Sequence, residues 1–307
     1  MFDIPILFVI FKRKDIAVKT FESIKAIKPS KLYIACDGPR KHVDGEKEMV
    51  AETRVAIEQL IDWPCEVHKR YMDHNLGCSK GVSQAISWLF ENEEMGIILE
   101  DDCLARQSFF PYCEELLHKY YSDERVGMIA GTNLISNKVN MPDSYCFSKY
   151  DACWGWATWK RAWSNFDLNM NWRNTEYSIS VLANNGYRGK DIKYWKYRLK
   201  LIDQDYVSAW DWQWYFTLAS QNQLCIFPNN CLIHNIGFDS LATHTSQFNA
   251  PKYKDIFRDV TFPLSHPQYV LPFEPFDKAF YRENNSLYMN IIKYIPLNIK
   301  TFFKKLR

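Results

Sequence analysis

The stretch Gly96-Ile-Ile-Leu-Glu-Asp-Asp-Cys103 decides the fold, because a short apolar run leads directly into three consecutive carboxylates. The apolar part predicts a buried strand of a parallel sheet, since such strands are hydrophobic on both faces. Open α/β sheets bind ligands beyond the carboxyl ends of their strands, which is where these three acids would lie. The alternative is a solvated acidic turn that leads into the next helix.

Three adjacent carboxylates repel one another, and each raises the pKa of its neighbours unless a cation compensates. Mg²⁺ and Mn²⁺ prefer oxygen ligands and usually combine one or two carboxylates with the phosphates of a substrate. The acidic stretch therefore predicts a site for a divalent metal that carries a diphosphate.

The bulk composition describes a soluble globular chain of 307 residues, with 47% hydrophobic and 24% charged residues. This length fits one large α/β domain or two smaller ones. A net charge of +2 gives no overall field that favours nucleic acid. The longest apolar run, near Ile4–Phe11, is too short to span a bilayer and lacks the cleavage region of a secretory signal.

The nine cysteines form an odd number, and none of them belongs to a C-x-x-C pair. This pattern argues against a disulfide framework and against a zinc cage. It favours reduced, mostly buried thiols in a cytoplasmic protein.

Residues 1–134 alternate apolar strand patterns with helical patterns, which predicts an α/β fold with a mostly parallel central sheet flanked by helices. The sequence has no G-x-G-x-x-G after the first strand and no G-x-x-x-x-G-K-[ST], which argues against dinucleotide dehydrogenases and P-loop kinases. The predicted strands are Ile4–Phe11, Leu32–Cys36, Cys65–Tyr71, the strand before the three acids, and Val126–Ala130; the predicted helices are Ala17–Ile27, Met49–Ile61, Val82–Phe90 and Phe109–Tyr121.

Residues 135–250 form an aromatic-rich second half of the same predicted domain. Asn174–Asp205 is polar and weakly periodic, which predicts a helical insertion over the site. Leu224–Phe227 and Cys231–Ile236 are predicted as late strands, and Gly237–Thr245 as a loop. Residues 251–307 form a C-terminal extension.

Nine of the eleven tryptophans fall between Trp154 and Trp214. Sugar rings stack on flat aromatic surfaces, and the indole N–H donates to hydroxyl groups. The alternative is core packing, which we expect for most of the nine, with one or two exposed to a sugar acceptor. The candidates for an acceptor site are Trp154, Trp156, Trp159 and Trp212.

The last stretch, Leu287–Arg307, combines apolar residues with lysines, and no acid follows Glu283. Such a basic amphipathic end can lie on an anionic membrane surface, which here would be the inner face of the cell membrane. The alternative is a tail that packs on its own domain with its lysines extended into water.

With these motifs the chain resembles metal-dependent glycosyltransferases of the GT-A fold, in particular the Glu-Asp-Asp branch typified by the inverting N-acetylglucosaminyltransferase I family and its bacterial relatives. The resemblance is clearest over residues 4–134 and continues through short motifs to about residue 245. It implies Mn²⁺ or Mg²⁺ as cofactor and a nucleotide-diphosphate sugar as donor, with a UDP-sugar favoured. It also implies a glycan or lipid-linked glycan acceptor, in the synthesis of surface glycans or polysaccharides.

The family's metal motif matches Ile98-Leu-Glu-Asp-Asp102. The resemblance places Asp102 on the metal, Asp101 on the ribose of the donor, and Glu100 near the transferred sugar. Asp37, in Ala-Cys-Asp-Gly, matches an acid that accepts a hydrogen bond from the nucleobase imide. The alternative for Asp37 is an ordinary turn aspartate, because Asp-Gly is common after a strand.

Two further motifs, one a basic residue and the other a loop, also resemble those of the family. Arg13 matches a basic residue on the diphosphate, with a solvated surface charge as the alternative. Asn75-Leu-Gly77, together with Lys80, resembles the loop that closes over the nucleobase. The glycine of that loop is also explained by a left-handed backbone position.

The segment Trp210-Asp-Trp-Gln-Trp214 resembles the one that carries the catalytic base, which makes Asp211 the candidate base. The family segment often has two adjacent acids, whereas this chain has one. The alternative is an N-cap aspartate that opens a helix through Ser220. By the same resemblance, His244 is a candidate for an additional metal ligand, as in some GT-A enzymes, or for a hydrogen bond to the diphosphate. The alternative is a loop histidine with neither role.

Two other classes of function remain open on the sequence. A sugar-phosphate nucleotidyltransferase also uses metal carboxylates on an α/β sheet, but normally has a glycine-rich loop after the first strand, and Phe11-Lys-Arg-Lys14 has no glycine. The other class is a noncatalytic carbohydrate-binding protein, in which the aromatic half would bind the sugar without any reaction.

Overall fold

The computed structural model describes residues 2–184, 190–204, 208–238 and 256–284. In the first half of the chain every predicted strand and helix is confirmed, with ends that shift by a few residues. The elements of this half are β1 Ile6–Ile10, α1 Lys14–Ile27, β2 Lys31–Cys36, α2 Glu46–Gln59, β3 Glu66–Tyr71, α3 Gly77–Asn92, β4 Met95–Glu100, β5 Cys103–Ala105, α4 Phe109–Lys119 and β6 Val126–Ala130. The short strand β5 was not predicted.

The second half is less regular and contains elements that the sequence pattern did not predict. The predicted insertion after Asn174 is helical over its described residues, and the last predicted strand shortens to three residues. The elements are β7 Tyr145–Ser148, β8 Trp156–Trp159, α5 Lys160–Trp163, α6 Ser178–Asn184, α7 Lys190–Asp203, α8 Asp211–Ser220, β9 Leu224–Pro228, β10 Ile233–Asn235 and α9 Glu274–Asn284.

Eight strands form one central sheet in the order β3-β2-β1-β4-β8-β6-β9-β7. The four strands β3, β2, β1 and β4 are parallel, as predicted. Strand β8 runs antiparallel between β4 and β6, and β7 runs antiparallel beside β9, so the second half of the sheet is mixed rather than parallel. The α/β class and the central sheet flanked by helices are confirmed.

Strands β1 and β4 are buried on both faces, which is the reason for their unbroken apolar sequences. Ile97 and Leu99 contribute to the core that packs α1, α2 and α4 against one face of the sheet. Ile98, between them, points to the opposite core, which contains residues of α3, α8 and α9. Helices therefore cover both faces of the sheet, and the three acids after Leu99 emerge at its edge.

A separate two-stranded sheet holds the chain beyond β4 in place. Strand β10 pairs antiparallel with β5, and Asn235 lies opposite Cys103. Because Cys103 directly follows Asp102, this pairing brings the segment after β10 onto the acidic stretch. Among the described residues, no helix is both long and apolar enough to cross a bilayer.

Two glycines with left-handed backbones allow a matched test of this packing. Gly155 has a φ of +61°, and an added Cβ would lie 2.4 Å from Ile233 Cδ1. Gly45 has a φ of +75°, with nothing within 4 Å of an added Cβ. Gly45→Ala should cost only the backbone strain, about 1 kcal/mol of unfolding free energy. Gly155→Ala should cost about 2–4 kcal/mol, because overpacking adds to that strain.

Urea unfolding of the two variants and the wild type measures this difference. Equal losses of stability in Gly155→Ala and Gly45→Ala would contradict the close approach of β10 to the sheet.

Candidate functional site

The predicted donor residues lie at one edge of the sheet because they follow neighbouring parallel strands. Strand β1 pairs with β2 on one side and with β4 on the other, so the carboxyl ends of all three strands coincide. Arg13 follows β1 and precedes α1, Asp37 follows β2, and Glu100 ends β4. This is the edge at which open α/β sheets bind ligands.

The guanidinium of Arg13 lies between two of the predicted carboxylates. Its Nη2 donates to Asp101 Oδ1 at 2.5 Å and to Asp102 Oδ2 at 2.7 Å. The side chains of Arg13, Asp101 and Asp102 are only 13%, 8% and 13% exposed. The structure therefore brings the predicted diphosphate residue and the predicted metal residue into one buried ion-pair cluster.

Burial shifts the protonation of the acids in this cluster. It raises the pKa of Asp101 to about 6, against the opposing positive charge of Arg13. It raises the pKa of Glu100 to about 8, and the negative charges of Asp102, Asp101 and Asp211 add to that rise. At neutral pH Glu100 is therefore mostly protonated.

The segment after β10 presses against Asp102. The backbone N–H of Ile236 donates to the Asp102 carbonyl oxygen at 2.8 Å, and Asn235 Nδ2 donates to Asp102 Oδ1 at 3.3 Å. A Cβ added to Gly237 would lie 2.1 Å from Asp102 Oδ2 and 2.8 Å from Arg13 Nη1. Only a glycine fits there, so Asn235 and Gly237 belong to the site although the sequence analysis gave them no role in it.

The described side chains around Asp102 suit a metal ion that is bound together with a diphosphate, and they do not suit a metal ion held by protein side chains alone. Among the described residues, no three His, Cys, Asp or Glu side chains are placed to hold an ion by themselves. That excludes a cage built from those side chains alone. A Mg²⁺ or Mn²⁺ that takes its other ligands from a diphosphate and from water needs only one or two carboxylates, and Asp102 would be one of them. His244 lies outside the described residues.

Asp37 ties the loop after β2 to the start of α3. Its carboxylate accepts from the backbone N–H groups of Gly38 at 2.8 Å, Leu76 at 2.9 Å and Gly77 at 3.1 Å. Asn75 Nδ2 donates to the Gly38 carbonyl oxygen at 2.8 Å. These hydrogen bonds confirm that Asp37 is a turn aspartate, which was the alternative to a nucleobase contact. The nucleobase contact itself remains a prediction.

The loop that resembles a nucleobase lid opens α3 at this same edge. Gly77, the first residue of α3, has a φ of +80°, which explains the glycine by its backbone. Lys80 is exposed in the first turn of the helix. Asn75 and Gly77 therefore lie at the Asp37–Gly38 turn, and Lys80 follows in the same helix. The contact of these three residues with a donor remains a prediction.

Asp211 lies close to two other acids, Glu100 and Asp151. It is the first residue of α8, with Trp210 as the N-cap, so the proposed N-cap role for Asp211 is wrong by one position. Its negative charge raises the pKa of both Glu100 and Asp151. The second half of the chain thus delivers the candidate base to the same group of carboxylates that follows β4.

Asp151 is a member of this group that the sequence analysis missed. It lies between β7 and β8, and burial together with the charge of Asp211 raises its pKa to about 8. As a single acid in Tyr150-Asp-Ala-Cys153 it carries no sequence signal. The described cysteines are all unpaired, as predicted.

Two of the four tryptophans proposed for an acceptor site are core residues. Trp156 and Trp159 are fully buried because β8 lies in the interior of the sheet between β4 and β6, so their predicted acceptor contact is wrong. Trp154 and Trp212 are half-buried. The Trp154 ring packs edge-on against Phe238 at 5.9 Å, and the guanidinium of Arg198 lies 4.1 Å from the Trp212 ring.

No protein-family model matches the chain, and no curated protein does either. Several solved structures are similar to it in part. The 4-diphosphocytidyl-2C-methyl-D-erythritol synthase of Anaerococcus prevotii is 9% identical, with a TM-score of 0.34 over 56% of this chain and 78% of that one. S. aureus TarS (residues 1–349) is 10% identical, with a TM-score of 0.35 over 60% and 55%.

A UDP-glucose pyrophosphorylase complexed with UDP-glucose is 12% identical, with a TM-score of 0.34 over 54% of this chain and 79% of that one. Matches with identities and TM-scores this low give no information about the activity of this chain.

The raised pKa of Asp151 predicts a specific pH dependence of stability. An aspartate in the unfolded chain ionises near pH 4, whereas folded Asp151 keeps its proton to about pH 8. Stability should therefore fall as pH rises from about 4 to about 8. Asp151→Asn should be more stable than the wild type near pH 8.5, by on the order of 1–2 kcal/mol, and similar to it near pH 5.

Urea unfolding at the two pH values measures this effect, with the exposed Asp73→Asn as the control. A stability difference between Asp151→Asn and the wild type that stays constant with pH would contradict the burial of a protonated Asp151.

Proposed function

We propose that this protein transfers a sugar from a nucleotide-diphosphate donor, with a UDP-sugar favoured, to a hydroxyl group of a glycan or lipid-linked glycan. The observation that supports this proposal most strongly is the Arg13–Asp101–Asp102 cluster at the carboxyl edge of β1 and β4, together with Asp211, whose charge acts on the adjacent Glu100. We further propose that the transfer inverts the anomeric carbon and serves surface glycan or polysaccharide synthesis.

Arg13 is suited to hold the diphosphate. Its Nη2 is bound to Asp101 and Asp102, whereas its Nη1 is buried without a hydrogen-bond partner within the described residues. A guanidinium donates through a planar fork that matches phosphate oxygens, and such charge-assisted bonds are strong. A phosphate beside Nη1 would satisfy the donor that the protein leaves unpaired.

Asp102 is the residue that would hold Mn²⁺ or Mg²⁺, and Asp101 would contact the ribose of the donor. When bound, such an ion stabilises the negative charge of the departing diphosphate as a Lewis acid. Asn235 and the N–H of Ile236 fix the orientation of Asp102 through its side chain and its carbonyl oxygen. Positioning of this kind keeps a carboxylate ready for its ligand.

Asp211 would accept the proton of the attacking hydroxyl. Its neighbours Glu100 and Asp151 have pKa values raised to about 8, so at neutral pH they are mostly neutral. General base catalysis contributes about 10²–10⁴-fold to the rate.

The replacement Asp211→Asn removes the proposed base and keeps the size of the side chain. Donor binding should be unchanged, whereas the rate of sugar transfer should fall by about 10²–10⁴-fold. Thermal shift with the donor measures the first quantity, and nucleotide release in the presence of acceptor measures the second. Glu274→Gln, in the first turn of α9, is the control, because it is an exposed acid at the equivalent position of another helix.

A wild-type transfer rate in Asp211→Asn would contradict the assignment of the base. The reaction class has its own test, in which a panel of nucleotide sugars is incubated with the protein with and without Mn²⁺. A glycosyltransferase releases a nucleoside diphosphate. Release of inorganic diphosphate from a nucleoside triphosphate and a sugar phosphate would instead show a nucleotidyltransferase. The absence of both products would favour a noncatalytic binding protein.

A further inference from the structure

Helix α7 presents a basic stripe to solvent. Lys193, Lys196, Tyr197 and Lys200 are all exposed, and their spacing of three, four and seven residues places them on one face of the helix. The helix contains five basic residues and two acids. Within the described residues none of these three lysines has an ion-pair partner, whereas Asp203, at the end of the helix, pairs with Arg173 at 2.7 Å.

The opposite face of α7 fixes which way this stripe points. Leu199 is buried, and Ile192, Trp195 and Ile202 are partly buried against the same cluster. Val181 and Leu182 of α6 and Phe216 of α8 complete that cluster. Helices α6 and α7 thus share one inner side, and their exposed residues lie on the outer side of the molecule.

Exposed apolar side chains occur in the same two helices and just before α6. Tyr197 is 38% exposed, Tyr177 at the start of α6 is 64% exposed, and Ile179 in α6 is 46% exposed. Lysines with exposed tyrosine and aliphatic side chains are the composition of surfaces that lie in the interface of an anionic membrane.

The same helix contacts Trp212, the neighbour of the candidate catalytic residue Asp211. The guanidinium of Arg198 lies 4.1 Å from the ring of Trp212, and Trp212 follows Asp211. Trp195 of α7 also packs edge-on against Trp212 at 5.6 Å. A surface bound by the outer side of α6 and α7 is therefore linked to the site through one layer of side chains.

We propose that the outer face of α6 and α7, formed by Tyr177, Ile179, Lys193, Lys196 and Lys200 with Tyr197, docks on an anionic lipid surface. Charge complementarity and the exposed apolar groups identify the lipid headgroup region as its partner. The docking itself is independent of the proposed reaction. Docking would also hold a lipid-linked acceptor near Asp211, and this consequence rests on the proposed function.

Vesicle sedimentation of the full chain tests the docking. The wild type should bind vesicles rich in phosphatidylserine and should not bind pure phosphatidylcholine, and salt should weaken the binding. Each lysine near such a surface contributes enough that Lys193→Ala/Lys196→Ala/Lys200→Ala should lower the partition coefficient on the order of a hundredfold. Because these side chains are exposed, the variant should keep the wild-type melting temperature.

A matched control removes the same charge elsewhere. Lys41→Ala/Lys47→Ala/Lys119→Ala changes three exposed lysines that have no ion pair within the described residues, and it should bind vesicles nearly as the wild type does. Tyr177→Ser/Ile179→Ser should weaken binding at high salt, where the charges are screened. Equal losses in the two lysine variants would contradict a specific face, as would full binding by the α7 variant.

The basic C-terminal stretch offers a competing explanation that the same assay resolves. If Lys300→Ala/Lys304→Ala/Lys305→Ala abolishes binding while the α7 variant binds normally, the proposal is overturned. A wild type that fails to bind anionic vesicles overturns it as well. Thermal shift with nucleotide sugars on the same variants reports separately on the proposed function, because it needs no membrane.

Discussion

The ion-pair cluster of Arg13 with Asp101 and Asp102 is the interaction on which the candidate site depends. It joins the loop after β1 to the acidic end of β4, with Nη2–oxygen distances of 2.5 and 2.7 Å. Buried carboxylates without a cation are costly, and loss of one partner of a buried pair typically destabilises a protein by about 3–5 kcal/mol. The mutual attraction of these groups therefore fixes the geometry of the candidate site.

The parallel half of the sheet could be predicted from the sequence because its signals are local. Apolar runs such as Ile97–Leu99 are long enough to fill both cores, and the helices between strands have clear apolar faces. The location of the acids at the sheet edge follows from the same logic, because parallel strands end on one side. Arg13 lies at the same edge because it follows β1. It binds the acids directly, whereas the alternative considered from the sequence was a solvated surface charge.

The second half could not be predicted in detail, because its outcome depends on tertiary contacts. The sequence of β8 gives no local sign of burial, but insertion between β4 and β6 buries Trp156 and Trp159 completely. Asp151 and Gly237 likewise reach the site through long-range packing, and a single acid and a glycine after a short strand give no local signal. The aromatic content indicated a distinct half without showing which side chains face a ligand.

Calorimetric binding of a nucleoside diphosphate, with and without Mn²⁺, tests the central claim most directly. The wild type should bind UDP or another nucleoside diphosphate more tightly when Mn²⁺ is present, and Asp102→Asn should lose that dependence on the ion. The exposed Asp62→Asn should behave as the wild type. If Asp102→Asn kept the full Mn²⁺ dependence, or if the wild type bound no nucleotide at all, the edge formed by Arg13, Asp101 and Asp102 would not be a diphosphate site.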